Sequence, residues 1–389
     1  MTEHSPLGAS SAERWMNCPG SVTMIKELEL PETDEPSYRA EGTAMHEAAA
    51  WALNNGGEAW ELAGMEFYGQ VITPEMAEGV GVYLDYVRPL ARAIDTFGIE
   101  YRVSSPVHPL FFGTADFWAL APWSEMGNAL HVVDLKGGKG IVVDPEDNAQ
   151  LKYYAFGVVE TLERERSYQI GDDVAVVLTI VQPRAFHTAG VVRSWATTAG
   201  DIREWVHTEL VPAMAAAEID GTLDAGPWCR FCPAKLACPM LTGLFRAAAL
   251  ASDQKIVQSN EMLGLSARYV KAVEHYLKAF REEGLRRAME GQVIPHTKLV
   301  KQKANRVWTE DGRTMAEATF GEKAFTTPEL KSPAGIDELP GGKKFTKEYA
   351  HTPDAGLKWV TEDEPGVAQN VKTLQESQAA FVAAVTAEE

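Results

Sequence analysis

Residues 174 to 183 read VAVVLTIVQP, a nearly continuous apolar run. A run of that length and composition reads as a buried strand. Any fold for this chain must supply a sheet around it. Three further strands precede it, IEYRVSSPV (99–107), GTADFWALA (113–121) and NALHVVDLK (128–136), and VVRSWAT (191–197) follows. Between them, PEDNAQLKYYAFGVVETL (145–162) has helical spacing with a proline near its start. Upstream, EGTAMHEAAAWALNNGG (41–57) is an alanine-rich helix ended by Gly56 and Gly57, and residues 74 to 96 give a second helix. The order α-β-β-β-α-β-β predicts a mixed α/β core, a central mixed sheet flanked by helices.

The flanks read differently. Residues 1 to 40 are expected to be irregular, with a short helix around SSAERWMNCPGS. Residues 257 to 290 form a long helix in which Leu263, Val270, Val273, Leu277 and Phe280 make a packing stripe. Beyond 291, KKFTKEYAHTP and TEDEPGV carry turn and charge residues with little periodicity. A helical and irregular extension follows from this, a small module and then a loosely ordered acidic tail. The expected division is 1–245, 246–291 and 292–389.

No run of about 18 apolar residues occurs, so no membrane span is expected. The opening MTEHSPLGAS lacks a basic stretch leading into an apolar one, so no signal peptide is expected and the cytoplasm is the expected compartment. The net charge of −19 argues against a surface coated for nucleic acid. A local basic groove, or carboxylates gathered around a divalent ion, stays compatible with it.

Charge inside the predicted sheet narrows the chemistry. HVVDLKGGKG puts Asp134 and Lys136 at the end of a strand, two residues apart and so on one face. They could end the strand at a solvated turn. Alternatively Asp134 holds a metal and Lys136 sits beside it. Asp116 on the preceding strand supplies a second carboxylate, and a hard ion such as Mg²⁺ takes such oxygen ligands. His46 on the early helix would tilt preference toward Mn²⁺. Gln150 and Tyr154 lie four apart on the next helix and share a face that could meet a phosphate or a water.

The four cysteines are a second mark. Cys229, Cys232 and Cys238 form C-x2-C-x5-C in WCRFCPAKLACP, and Cys18 stands far upstream. They could be buried thiols, zinc ligands or iron–sulfur ligands. Trp228, Arg230 and Phe231 surround them, either stacking on exposed bases or shielding a metal from solvent.

Taken in order, these pieces resemble the PD-(D/E)xK nuclease superfamily, in particular its RecB-like branch with the CRISPR-associated iron–sulfur exonucleases. The family pattern is an early His, G-x-x-D, D-x-K and Q-x-x-x-Y. Here these are His46, the run from Gly113 to Asp116, the run from Asp134 to Lys136, and Gln150 with Tyr154. Iron–sulfur members place one cysteine before the core and three after it, as Cys18 and Cys229, Cys232 and Cys238 stand here. The opening SSAERWMNCPGS and EGTAMHE are similar to a phage-associated branch of that group. The likeness covers roughly residues 8 to 245.

The resemblance implies a restriction-endonuclease-like core whose ends a [4Fe–4S] cluster staples. It implies a metal-dependent DNA exonuclease acting on single strands or duplex ends, in phage or mobile-element recombination or replication, with proteins of those processes as partners. His46, Asp116, Asp134 and the Leu135 carbonyl would hold Mg²⁺ or Mn²⁺. Lys136 would assist hydrolysis, and Gln150 and Tyr154 would position the phosphate. Two alternatives stay open. One is a catalytically inactive DNA-binding or scaffold protein on the same fold, and the other is a zinc protein of unrelated function.

Overall fold

A computed structural model describes residues 5–29, 37–93, 96–123, 127–139, 141–219, 221–250, 260–302, 305–309, 311–326, 329–353, 356–361 and 369. The chain divides into two compact units, Met1–Tyr276 and Leu277–Glu389. The division falls inside one long helix.

The first unit is mixed α/β. A 3₁₀ turn, Ala9–Ser11, leads into α1 (Ala12–Asn17), α2 (Gly20–Glu27) and α3 (Ser37–Asn55). A small hairpin, β1 (Glu66–Phe67) and β2 (Gln70–Val71), precedes α4 (Pro74–Ala93). The central sheet follows: β3 (Phe97–Ser104), β4 (Phe112–Pro122), β5 (Asn128–Leu135), then α5 (Ala149–Arg166), β6 (Ala175–Val181) and β7 (Val192–Thr198). Its order is β3-β4-β5-β6-β7. All neighbours pair antiparallel except β5 and β6, which run parallel. A parallel pair needs a crossover, and α5 is that crossover.

Two apolar layers sandwich the sheet. On one face, Ala44, Met45, Ala48 and Ala52 of α3 and Met76, Val80 and Leu84 of α4 pack on Phe117, Val133, Leu135 and Val181. On the other, Leu151, Ala155 and Val158 of α5 and Trp15 of α1 pack on Ala115, Leu130, Val132, Leu178 and Ile180. Six of the seven residues of β6 are buried. A strand enclosed on both faces has to be apolar throughout, which is why VAVVLTIVQP lacks alternation.

Helix α5 starts at Ala149 rather than Pro145. The Asn148 side chain accepts a hydrogen bond from the Leu151 amide at 3.1 Å, so it is the capping residue and the proline lies outside. The amino-terminal region is more helical than expected, because α2 packs its first residue tightly. The Gly20 amide donates to the Thr222 carbonyl at 2.9 Å, and a Cβ on Gly20 would lie 2.4 Å from the Gly221 oxygen.

After the sheet come α6 (Ala199–Trp205), a π-turn (Val206–Leu210), α7 (Val211–Ile219), α8 (Pro239–Leu250) and α9 (Asn260–Met289). The expected stripe on α9 is corrected. Val270 is 51% exposed and Phe280 42%, while Ala272 and Tyr276 are buried, packing in a cluster with Cys229, Cys238 and Leu241. Leu263 and residues 257 to 259 lie outside what is described at the side-chain level.

The second unit is built from short pieces. These are β8 (Thr297–Lys301), β9 (Val307–Trp308), α10 (Gly312–Phe320), β10 (Phe325–Thr326), β11 (Glu329–Leu330), α11 (Pro333–Ile336), α12 (Gly342–Tyr349), β12 (Ala350–His351) and β13 (Leu357–Thr361). It has its own core of Ala316, Ala324, Ile336 and Phe345. KKFTKEYAHTP, expected to lack periodic structure, forms most of α12 and β12 instead. Phe345 and Tyr349 stand one turn apart, with ring centroids at 4.7 Å, and that pair holds the helix. TEDEPGV after its first residue, and the acidic tail from 370, lie outside the described residues. Among the described residues, no helix is long and apolar enough to cross a membrane.

Candidate metal centre and cysteine recess

The sheet register lines up three carboxylates. Ile99 pairs with Phe117 and Tyr101 with Ala115, so Glu100 stands opposite Asp116. Phe117 pairs with Val133, and the next step puts Asp116 opposite Asp134. The row crosses β3, β4 and β5. Like charges directly opposite one another are destabilising, so the row needs cations.

The backbone is unusual at the same place. Glu100 has φ +43°, in the left-handed region that non-glycine residues rarely enter. Strand alternation changes phase there. Ile99 and Phe117 face the layer of α3 and α4, whereas Tyr101 and Ala115 face that of α5. The row therefore sits where the two layers meet at the sheet.

Helix α3 brings His46 to it. His46 Nδ1 is 3.2 Å from Asp116 Oδ2 and 4.0 Å from Glu100 Oε1. The Leu135 amide donates to Asp116 Oδ2 at 2.8 Å. The ligand atoms of His46, Glu100 and Asp116 all lie within 4.8 Å of one another, the one such set of His, Cys, Asp and Glu among the described residues. Asp134 lies outside that set.

Asp134 belongs to a second group of contacts. Lys136 Nζ lies 2.8 Å from its Oδ2 and donates to Gln150 Oε1 at 2.8 Å, and Gln150 Nε2 donates to Asp134 Oδ1 at 3.0 Å. The three side chains close a ring. Asp134 Oδ2 is buried, with the Lys136 ammonium as its partner. Tyr154 is 8% exposed and hydrogen-bonds Gln150. Tyr153 turns away: its ring stacks on Phe111 at 3.9 Å and its hydroxyl donates to the Phe112 carbonyl at 3.3 Å. Tyr154 is thus the tyrosine on the Gln150 side.

The electrostatics follow from this crowding. Burial alone would lower His46, but the Asp116 carboxylate, its hydrogen bond, and the charges of Asp134 and Glu100 raise it to about 9. Burial and the Asp116 charge raise Glu100 to about 7, against the pull of His46. Burial would raise Asp116, yet His46, the Leu135 amide and Lys136 hold it below the usual carboxylate range. Burial also pushes Asp134 up, more than Lys136 pulls it down. Imidazole beside gathered carboxylates is a donor set that fits Mg²⁺ or Mn²⁺.

Glu100 is the residue that sequence reasoning missed. A glutamate between isoleucine and tyrosine in IEYRV looks like an outward strand residue. Only the β3–β4 register places it against Asp116.

The cysteines form a separate site. Cys18, Cys229, Cys232 and Cys238 are all free and buried and line one recess together with Arg14 and Trp228. The Asp224 amide donates to Cys18 Sγ at 3.4 Å and the Gly226 amide to Cys229 Sγ at 3.5 Å. Burial pushes the thiols of Cys18, Cys229 and Cys232 up, Cys229 to about 11. Such thiols stay protonated unless a metal takes the place of the proton. Four buried thiols lining one recess are a donor set for zinc or for an iron–sulfur cluster.

Trp228 covers this recess and donates from its indole to the Asp224 carbonyl at 2.9 Å. Phe231, 51% exposed with Arg230 over its ring at 5.7 Å, faces outward instead.

Residues 4–364 match the family model described as a protein of unknown function, DUF2800. The match spans more than nine-tenths of the sheet-bearing first unit and continues through most of the second, and the chain belongs to the DUF2800 family.

Proposed function

We propose that this chain is a metal-dependent DNA nuclease with a restriction-endonuclease-like core, an exonuclease acting on single strands or duplex ends. The observation that carries the reading is the closed Asp134–Lys136–Gln150 contact beside the Asp116–His46 pair at the end of β5. These are the residues that the resemblance to PD-(D/E)xK nucleases selects from the sequence. The parallel β5–β6 pair joined by α5 supports the same core.

Asp116, Asp134 and His46 hold Mg²⁺ or Mn²⁺, with the Leu135 carbonyl as a further ligand. The ion supplies an activated water at neutral pH. Lys136, already fixed between Asp134 and Gln150, stabilises charge that develops on the phosphate. Gln150 and Tyr154 share one face of α5 and position the phosphodiester. The four cysteines hold a [4Fe–4S] cluster, supported by their gathering in one buried recess and by the backbone N–H donors to two of them. The cluster is structural in this reading, because the recess lined by the cysteines is formed by other residues than the carboxylate row. Partners in phage or mobile-element recombination or replication follow from the resemblance.

The test is anaerobic purification and incubation with end-labelled single- and double-stranded DNA plus Mn²⁺ or Mg²⁺, with Asp134→Ala beside the wild type. Degradation by wild type alone supports the reading, and the product ladder gives polarity. The net charge of −19 is compatible with a second reading, a catalytically inactive DNA-binding or scaffold protein on the same fold. Binding of DNA by both proteins with cleavage by neither selects it.

A further inference from the structure

We infer that a recess between the start of α5, β7 and the π-turn after α6 binds the arginine side chain of a basic segment on a partner protein. No residue of the carboxylate row lines it.

The recess holds about 260 Å³ and lies among Lys152 of α5, Trp195 of β7 and Trp205 at the end of α6. That volume suits one side chain with its peptide group and is below the range of cofactor pockets. Lys152 is two positions from both Gln150 and Tyr154, so the recess lies on the other side of α5 from them.

The lining leaves acceptors and one donor unmatched. Lys152 is 5% exposed, ion-pairs with Asp147 and stands 4.3 Å from the centre of the Trp205 ring, so its charge is already met. Asp201 is committed to the start of α6, where it accepts from the Thr197 and Thr198 hydroxyls at 2.9 and 2.7 Å. Glu204 and Glu209 also line the recess, but their carboxylates make no ion pair or hydrogen bond among the described residues. Trp205 is 6% exposed, and its indole N–H makes no hydrogen bond among the described residues. A tryptophan N–H buried to that degree normally has an acceptor. Its nitrogen is not sealed from solvent, so the donor opens on the recess that the ring lines.

The backbone brings the two acids together. Val206–Leu210 is a π-turn. An i→i+5 turn carries residues five apart toward one face, where a regular α-helix carries those three and four apart. Glu204 and Glu209 are five apart.

The chemistry selects the occupant. Asp147, Asp201, Glu204 and Glu209 outweigh the single ammonium of Lys152, a sign that repels a nucleotide or a DNA phosphate. A guanidinium fork can donate to two carboxylates at once and stack on the half-buried Trp195 ring, whereas an ammonium is a point charge. A peptide carbonyl beside that side chain supplies the acceptor that the Trp205 N–H lacks. A free polyamine has neither the fork nor the carbonyl.

The experiment titrates the full chain, purified without oxygen and labelled with nitrogen-15 at its tryptophans, with the capped peptide acetyl-Ala-Arg-Ala-amide. Trp195→Phe and Trp205→Phe assign the two indole N–H resonances. Both resonances are expected to shift saturably with this peptide and to stay in place with its citrulline counterpart, which keeps the shape and loses the charge. The lysine counterpart should bind about tenfold more weakly. The double variant Glu204→Gln/Glu209→Gln, whose two exposed positions should leave the thermal melt unchanged, should also bind the arginine peptide about tenfold more weakly. Equal binding of the citrulline or lysine peptide, unchanged affinity in the double variant, or no shift of the two resonances overturns the inference. Spermine that saturates the same resonances more tightly than the arginine peptide assigns the recess to a free polyamine and overturns the protein partner.

Discussion

Replacing Cys18 by serine tests the cysteine site through the unfolded chain. Cys18 sits just after α1, while its three partners follow α7, so a shared cluster closes a loop of about 210 residues. The chain-entropy relation for a cross-link of that length gives about 5 kcal/mol at 25 °C. Engineered cross-links often deliver less, so a loss of about 3–5 kcal/mol is expected. The folded state does not depend on the tether for its local contacts. Gly20 donates to the Thr222 carbonyl at 2.9 Å, and α1 and α2 both pack on α7. The variant should therefore fold and lose stability chiefly because its denatured chain is less constrained.

The assay is urea unfolding under argon, followed by tryptophan fluorescence, with iron and sulfide measured on the same sample. Cys18→Ser should lose iron, unfold at lower urea and show a larger denaturant slope, because an untethered chain exposes more surface. A variant that loses iron yet keeps the wild-type midpoint and slope would refute the staple. Zinc in place of iron in the wild type would keep the staple and remove the cluster.

Four other expectations concern single groups. Lys136→Ala should slow single-turnover cleavage by about 10²–10³-fold while Mn²⁺ binding is unchanged, and unimpaired cleavage would remove the lysine from the chemistry. Mn²⁺ affinity should rise with pH up to about 9, where the raised His46 loses its proton, and level off above it; a flat profile from pH 7 to 9 would exclude His46 as a ligand. In the metal-free protein the sign reverses. Pairing of protonated His46 with its carboxylates stabilises the fold fully below pH 6.5, and that contribution disappears as pH rises through about 9, visible as a falling melting temperature. Gly20→Ala should destabilise the first unit by about 1–3 kcal/mol, since its Cβ would meet the Gly221 and Thr222 backbone; an unchanged melt would show that α2 can shift.

The parts of this fold that a reader could extract from sequence are those with local causes. The strands around 99–135 and the apolar run of β6 carry their own pattern, and α5 is legible from its helical spacing although its start lies at Ala149 rather than Pro145. What escaped depends on contacts distant in sequence. Helix α2 begins Gly-Ser and has poor intrinsic propensity, and its place is set by backbone contact with residue 222. On α9 the buried side is marked by Ala272 and Tyr276, so the larger apolar residues misled. The phase change at Glu100 could not be read at all, because no local pattern distinguishes a left-handed glutamate from an ordinary strand residue.

Why the site lies at the end of β5 is a matter of topology. In a sheet whose other neighbours are antiparallel, β5 and β6 form the single parallel pair. Returning the chain from the end of one strand to the start of the next requires a long connection, and here that connection contains α5. Its first turn must then stand near the carboxyl end of β5, where side chains beyond the last paired residue have no further strand to meet. That end is where open α/β sheets leave a crevice. Asp134 and Lys136 enter the crevice from the strand, Gln150 and Tyr154 from the crossover helix, and the contacts among Asp134, Lys136 and Gln150 close at 2.8–3.0 Å. The antiparallel neighbours contribute the remainder, because hairpin register alone sets Asp116 and Glu100 beside Asp134. One crossover and two hairpins are thus sufficient to gather residues from 100 to 154 into one site, and α3 adds only His46.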